Sequence, residues 1–295
     1  MKPILTVLLS CLLLSGCSAP AAPAEIAATT LPVYEFTSRL CEGTPLSVTR
    51  LVTEEVSCLH DYSLNVRQVK AAEAAETIVI SGAGLEEFME DILVGADTID
   101  ASAGIPLLTP EEHHHHHEDE SQETHEGHHH EEDPHIWLSP ANAVSMAENI
   151  CEGLSARYPQ NRSVFQENLE VLRQELDSLA NYGNRQLEGL SCREIITFHD
   201  GFAYFAQGFD LEILRAVEEE SGSEASAREL IELIEEVEHH KLPAIFIEKS
   251  GSVSAAGIIA RETGCGQFSL DMAMAGDSYF DAMYHNIDTI KEALG

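Results

Sequence analysis

Residues 163 to 187 read SVFQENLEVLRQELDSLANYGNRQL, and the fold turns on whether this stretch is one helix. Apolar side chains recur at Phe165, Leu169, Leu172, Leu176 and Leu179, in steps of four and three with charged residues between them, the pattern of a helix with one buried stripe. At 1.5 Å per residue such a helix runs for roughly 35 Å, long enough to lie along two lobes and join them rigidly. Asn181 to Gly183 weaken its last turns and leave its end the least defined part.

On either side of it the chain alternates short β-branched runs with amphipathic stretches. Before it, strands are expected over 26–29, 46–52, 77–81 and 97–101, and helices over 32–40, 64–75 and 85–93. Ser139 ahead of Pro140 is a capped helix start, leading a helix to about Ala156. After it, strands are expected over 194–198, 211–216, 244–247 and 268–270, and helices over 202–207, 227–239, 253–262 and 279–293. Ser226 with Glu229 forms a capping box, and Gly264 is a stop signal. Strands separated by helices imply parallel pairing with right-handed crossovers. The expected class is α/β: two Rossmann-like lobes, residues 26–157 and 189–295, each a small, mostly parallel sheet flanked by helices, joined by one long helix over 158–188.

The first residues have another purpose. Ile4 to Leu14 are apolar after Lys2, too short a run for the roughly 20 residues that a membrane-spanning helix needs, and end in Leu14-Ser15-Gly16-Cys17. This reads as a signal peptide over 1–16 with a lipidation site at Cys17, followed by a flexible Ala- and Pro-rich spacer to residue 25. Acyl chains on Cys17 would hold the protein on an extracytoplasmic membrane face, as a bacterial lipoprotein anchored by lipid alone. A net charge of −35, from 51 acids against 16 bases, excludes a nucleic-acid partner, since a polyanion is repelled. Seven cysteines include Cys11 and Cys17. The others are Cys41, Cys58, Cys151, Cys192 and Cys265, and no CxxC pair supports a zinc ribbon. In an oxidising compartment one or two disulfides are plausible, with Cys192 and Cys265 the candidate pair of the second lobe; buried free thiols are the alternative.

Between the first-lobe elements and Ser139 lies a histidine-rich, acidic tract over 111–133. His113, His114, His115, His116 and His117 are consecutive, and His125, His128, His129 and His130 follow among carboxylates. Too polar to build a core, this tract reads as a loop that binds metal loosely and collects it. It closes on Asp133-Pro134-His135-Ile136-Trp137, where His135 and the sole tryptophan mark a fixed site.

Other candidates for chemistry sit at strand ends. His199 and Asp200 follow the strand ending at Phe198, Glu248 follows Ile247, and Asp271 follows Leu270. Ligands of open α/β sheets bind outside the carboxyl ends of the strands, so position as well as type selects these residues. His60 follows the strand over 46–52 after a short loop. Three isolated imidazoles, His60, His135 and His199, with a choice of carboxylates suit tetrahedral Zn2+; Mn2+ would favour more oxygens. Asp61 and Asp200 neighbour these histidines and could fix their tautomers. His239, His240 and His285 lie on helices, the first two at a helix end where the dipole favours a cation.

Cys58-Leu59-His60-Asp61-Tyr62, Asp133 to Pro140, and Phe198-His199-Asp200 with Tyr204 and Phe205 together resemble the ligand motifs of the solute-binding lipoproteins of zinc and manganese ABC importers, over nearly the whole mature chain. The resemblance implies His60, His135, His199 and Asp271 as the metal ligands. It places Glu248 behind them, though Glu248 is also the other carboxylate able to serve as fourth ligand. It further implies a long helix that limits lobe movement, a membrane permease with its ATPase as partners, and a monomer. Manganese members usually carry a carboxylate in place of His199, and an acidic histidine loop is typical of zinc members, so Zn2+ is the expected cargo. The first motif lacks the prolines common in the family, and Met272 to Gly276 follow no strong pattern. Alternatives are a manganese or broader divalent-metal binding protein or adhesin, and a zinc hydrolase. Against the hydrolase, the chain has no HExxH pair to supply two ligands and a general base, and no enzymatic activity is expected.

Overall fold

A computed structural model describes residues 24–54, 56, 59, 62–109, 132–217, 226–249 and 253–295. The signal segment with Cys17, the histidines of 113–130, and Cys58, His60 and Asp61 lie outside the described residues.

Two four-stranded parallel sheets share one topology. In the first lobe β1 (Ile26–Ala28), β2 (Val48–Arg50), β3 (Thr77–Ile80) and β4 (Thr98–Asp100) are ordered β2-β1-β3-β4. In the second, β5 (Glu194–Thr197), β6 (Glu212–Ala216), β7 (Ala244–Glu248) and β8 (Gly266–Leu270) are ordered β6-β5-β7-β8. Helices α1 (Leu31–Leu40), α2 (Val66–Ala74) and the short α3 (Glu90–Leu93) connect the first sheet; α6 (Ala203–Gly208), α7 (Ala227–His240) and α8 (Ser254–Thr263) connect the second. Local chemistry fixes the ends. Asn65 and Gln68 form a reciprocal capping box on α2, as Ser226 and Glu229 do on α7, and α8 stops at Gly264 with φ +77°.

Ser139 caps α4 (Pro140–Arg157), its hydroxyl accepting from the Asn142 amide, with Pro140 pre-set at the first helical position. Between the lobes runs α5 (Arg162–Gln186), a continuous helix burying Phe165, Leu172, Leu176 and Leu179. Gly183 does not end it. A Cβ there would fall 2.2 Å from Cε1 of Phe209, so the glycine is a notch that admits this ring. The closing helix α9 (Tyr279–Leu294) packs against α5 and α1.

Each lobe has its own outer apolar cluster, around Ile78 and Met89 in the first and Ile196, Val237 and Ile245 in the second. The main core is common to both lobes and runs through Phe36, Trp137, Phe165, Leu176, Phe205 and Tyr279. Side chains of this size contribute about 1.5–3 kcal/mol each when buried, so wide separation of the lobes is opposed by several of them at once. Polar ties add to this. The Trp137 indole donates to the Met272 carbonyl at 2.7 Å, and the Tyr279 hydroxyl donates to the Trp137 carbonyl at 2.8 Å. Arg39 of α1 pairs with Glu35 at 2.9 Å, reaches Glu175 of α5, and lies 4.7 Å over the Phe280 ring of α9.

The expected disulfide is not formed. Cys192 and Cys265 are free thiols, as are Cys41 and Cys151. Cys192 leads into β5 and Cys265 into β8, and β7 stands between these strands. Two strand spacings make nearly 10 Å, beyond the roughly 7 Å that a disulfide tolerates between Cα atoms. Burial pushes the Cys41 thiol up to about 12.

Candidate metal site

The carboxyl ends of the two sheets meet. Arg50, closing β2, donates to the Gly276 carbonyl at 2.8 Å, and the Leu31 amide, just after β1, donates to the Met274 carbonyl at 3.4 Å. Between them opens a cleft lined by Val56 from the first lobe and by Glu248, Lys249, Asp271, Met272 and Met274 from the second.

His135 and His199 come to this seam from different lobes. Their rings lie 5.3 Å apart and nearly perpendicular. His135 is only 4% exposed, on the turn before α4, and its Nδ1 is 2.7 Å from Oδ1 of Asp133, which also accepts from the His135 amide at 2.9 Å. An ionised carboxylate only accepts, so the proton belongs on Nδ1 and the lone pair on Nε2, the state that a metal requires. His199 follows β5, with Glu248 Oε2 3.9 Å from its Nδ1. Gly201 leaves room for the imidazole: a Cβ there would come within 2.7 Å of His199 Cδ2 and of Met272 Cε.

Asp271 directly follows β8 and is held firmly. Its amide donates to the Asn286 side-chain oxygen and its carbonyl accepts from the Asn286 amide group, both at 2.7 Å. Of its carboxylate oxygens, Oδ1 accepts from the Ala273 amide at 2.8 Å, and Oδ2 faces the Lys249 ammonium at 3.2 Å. Among the described residues, no group of three or more His, Cys, Asp or Glu is gathered closely enough to hold a metal ion. The described part of the site is therefore the His135–His199 pair with its flanking carboxylates.

Described residues on either side of position 60 are tied to each other. Glu54 accepts from the Tyr62 hydroxyl at 2.8 Å and from Gln68 Nε2 at 2.9 Å, and these hydrogen bonds, Tyr62 first, hold its carboxyl below the usual range. Leu59 is buried and Val56 lines the cleft. Asp200 is exposed beside His199. His239 and His240 end α7, where His240 Nδ1 lies 3.1 Å from Glu194, and His285 lies on α9.

In the sequence Asp133 and Tyr204 stand within the ligand motifs but without a role of their own, and Gly201 and Lys249 carry no signal. The carboxylate two residues before a candidate ligand, across a proline, was the available signal for Asp133. Tyr204 ties the lobes at the site: the Leu108 amide donates to its hydroxyl at 2.9 Å, and the hydroxyl donates to the Asp133 carbonyl at 3.0 Å.

Two parallel-sheet lobes sharing a core, with strand ends facing one cleft, define a two-lobed protein of the α/β class. The family described as zinc-uptake complex component A, periplasmic (ZnuA), matches residues 26–293, and the chain belongs to it. A crystal structure of ZnuA superposes with a TM-score of 0.77 at 29% identity, covering 92% of this chain and all of the other. The zinc-binding lipoprotein AdcA of Streptococcus pneumoniae is 29% identical over 283 residues, 91% of this chain but 55% of AdcA. The chain thus spans about half the length of the curated relatives it matches. The Zn(II)-bound ZnuA-like domain of the same AdcA gives a TM-score of 0.75 at 26% identity, covering 92% of this chain and 98% of that domain.

Proposed function

We propose that this protein captures Zn2+ outside the cytoplasm and delivers it to the permease and ATPase of an ABC importer. The cargo is held by His60 and His135 from the first lobe and His199 and Asp271 from the second. The reading is carried by one observation: two imidazoles, 64 positions apart in the sequence, face each other at 5.3 Å across the lobe seam, one with a carboxylate hydrogen-bonded at its Nδ1. Such a pair offers neutral Nε2 donors to a borderline-soft dication, and nitrogen-rich donor sets favour zinc over manganese.

The remaining parts of the chain take their roles from this. Cys17 carries the lipid that keeps the protein, as a monomer, on the membrane surface, and the histidines of 113–130 collect zinc at low affinity ahead of the tight site. Glu248 and Asp200 stand behind His199, and Asp61 behind His60. The protein binds and passes on its metal without transforming a substrate. The shared core supports delivery by a small shift rather than wide opening.

Replacing His199 by Ala is expected to weaken zinc binding more than 100-fold, beyond the roughly 10- to 100-fold typical of losing a residue that merely supports a ligand. Chelator-competition calorimetry on the purified protein reads this directly. Tight binding retained in the His199→Ala protein would remove the site.

A further inference from the structure

We infer that Lys249 is a tethered counter-cation, which occupies the Asp271 carboxylate when no metal is bound and competes with incoming zinc for it. The inference rests on the zinc-capture reading above and says how tightly the site releases its cargo.

The pairing is built into the sheet. Glu248 of β7 lies in register with Leu270 of β8, and the Lys249 amide donates to the Leu270 carbonyl at 2.8 Å, so parallel pairing sets Lys249 beside Asp271. The two partners differ in freedom. Asn286 grips the Asp271 backbone from both sides, and the Ala273 amide holds Oδ1, so this carboxylate stays where it is. Lys249 has a side chain 61% exposed, against 17% for Asp271, on a flexible four-carbon stem, so it is the member that can leave.

Charge and strength agree with such an exchange. An ammonium and a dication cannot share Asp271 Oδ2 without repulsion, so coordination by Asp271 requires Lys249 to swing out. A pair this exposed is weak enough for a metal to displace. It still lowers the apparent affinity, because the free carboxylate is only part of the metal-free population. In a chain with 51 acids and 16 bases, a lysine at this cleft separates the local charge from the acidic surroundings. On release the ammonium returns to Asp271, so the carboxylate that lets the metal go is neutralised from within the protein.

The test is zinc affinity by chelator competition and zinc release by stopped flow on the full chain. Lys249→Met is expected to tighten zinc binding about three- to tenfold, chiefly through slower release, whereas Lys249→Arg, which keeps the charge, stays at or below the wild-type affinity. In an Asp271→Asn background, Lys249→Met is expected to change nothing, because the partner it competes for is gone. Unchanged or weaker binding by Lys249→Met overturns the inference, as does an equal gain in the Asp271→Asn background. The His199→Ala protein, measured alongside, keeps the two questions apart: if it binds as tightly as wild type, the zinc site itself is wrong, whatever Lys249 does.

Discussion

The two sheets are built to one plan, with β3 and β7 in equivalent places, and each carries a buried carboxylate at that carboxyl end. In the first lobe this is Glu86, which follows β3 after a short turn; in the second it is Glu248, the last residue of β7. Glu86 is satisfied from within its own lobe, accepting from the Thr29 hydroxyl at 2.6 Å and from the Ser81 and Gly82 amides at 2.8 and 3.0 Å. Glu248, equally buried, faces His199 and lines the cleft between the lobes. An acid outside a strand end is thus not a site by position alone. It is structural where its own lobe supplies hydrogen-bond donors around it, as at Glu86, and it borders the site where it lies beside a candidate ligand at the cleft, as at Glu248.

At Glu86 a large pH effect is expected. Burial dominates there and pushes its carboxyl up to about 7, with Asp100 adding to the rise against the three hydrogen bonds. An acid raised on folding holds its proton in the folded state at pH values where the unfolded chain has lost it. Its contribution is therefore complete below about 4.5 and is lost as pH climbs through about 7, a fall of about 3 kcal/mol in folding stability across that window. Glu86→Gln, with no proton to lose, is expected to flatten this part of the stability profile while leaving zinc affinity within about twofold. Denaturant melts at a series of pH values, with calorimetry at neutral pH, check both halves. A loss of affinity as large as that expected for His199→Ala would mean that Glu86 serves the site after all.

A smaller effect is expected at Asp133. Its carboxylate is committed to His135 at 2.7 Å and so is structural for a ligand rather than for a sheet. Asp133→Asn keeps the shape, removes the charge and weakens the preference for the Nδ1–H tautomer. Zinc affinity should fall by about tenfold with little change in melting temperature. Glu248→Gln should cost less than this, since Glu248 lies 3.9 Å from its imidazole, beyond direct hydrogen bonding. If the two substitutions change stability alone, neither carboxylate tunes a metal ligand.

How far the sequence carried the reading follows from which forces are local. Helix α5, the capping box at Ser226 and the sheet strands were legible because hydrophobic period and cap chemistry act within a few residues, and the same chemistry at Asn65 and Gln68 went unread. Gly183 read as a weak point because its partner, Phe209, is remote in sequence and only packing identifies the notch. The Cys192–Cys265 pairing failed for a related reason: both cysteines lead into strands of one sheet, and the order that puts β7 between them is not written locally. In the site, His135 and His199 stood out as residue types in distinctive motifs. Asp133 stood in the same motif as His135 but without a role, and Gly201 in none, since what each does is set by its distance to a ring. Lys249 became visible only through the β7–β8 register that sets it against Asp271.

The smallest expected effect on the tight site is that of removing the histidine tract. The frame around His135 closes on itself without it: the Asp133 amide donates to the Leu108 carbonyl at 2.8 Å, and Tyr204 joins the same two residues from the second lobe. With the ends of the tract already tied together, deleting residues 112–132 leaves Thr109 to Glu111 to turn between them, a length common in short connections. Loop closure costs little more or less at that length, and His135 keeps its hydrogen bond to Asp133. Zinc stoichiometry should then fall to about one per chain while the affinity of the remaining site moves by no more than about twofold, both read in one calorimetric titration. Additional weak sites surviving the deletion would locate zinc collection elsewhere on the acidic surface, and a collapse of the tight site would make the tract part of the frame that Tyr204, Leu108 and Asp133 otherwise complete.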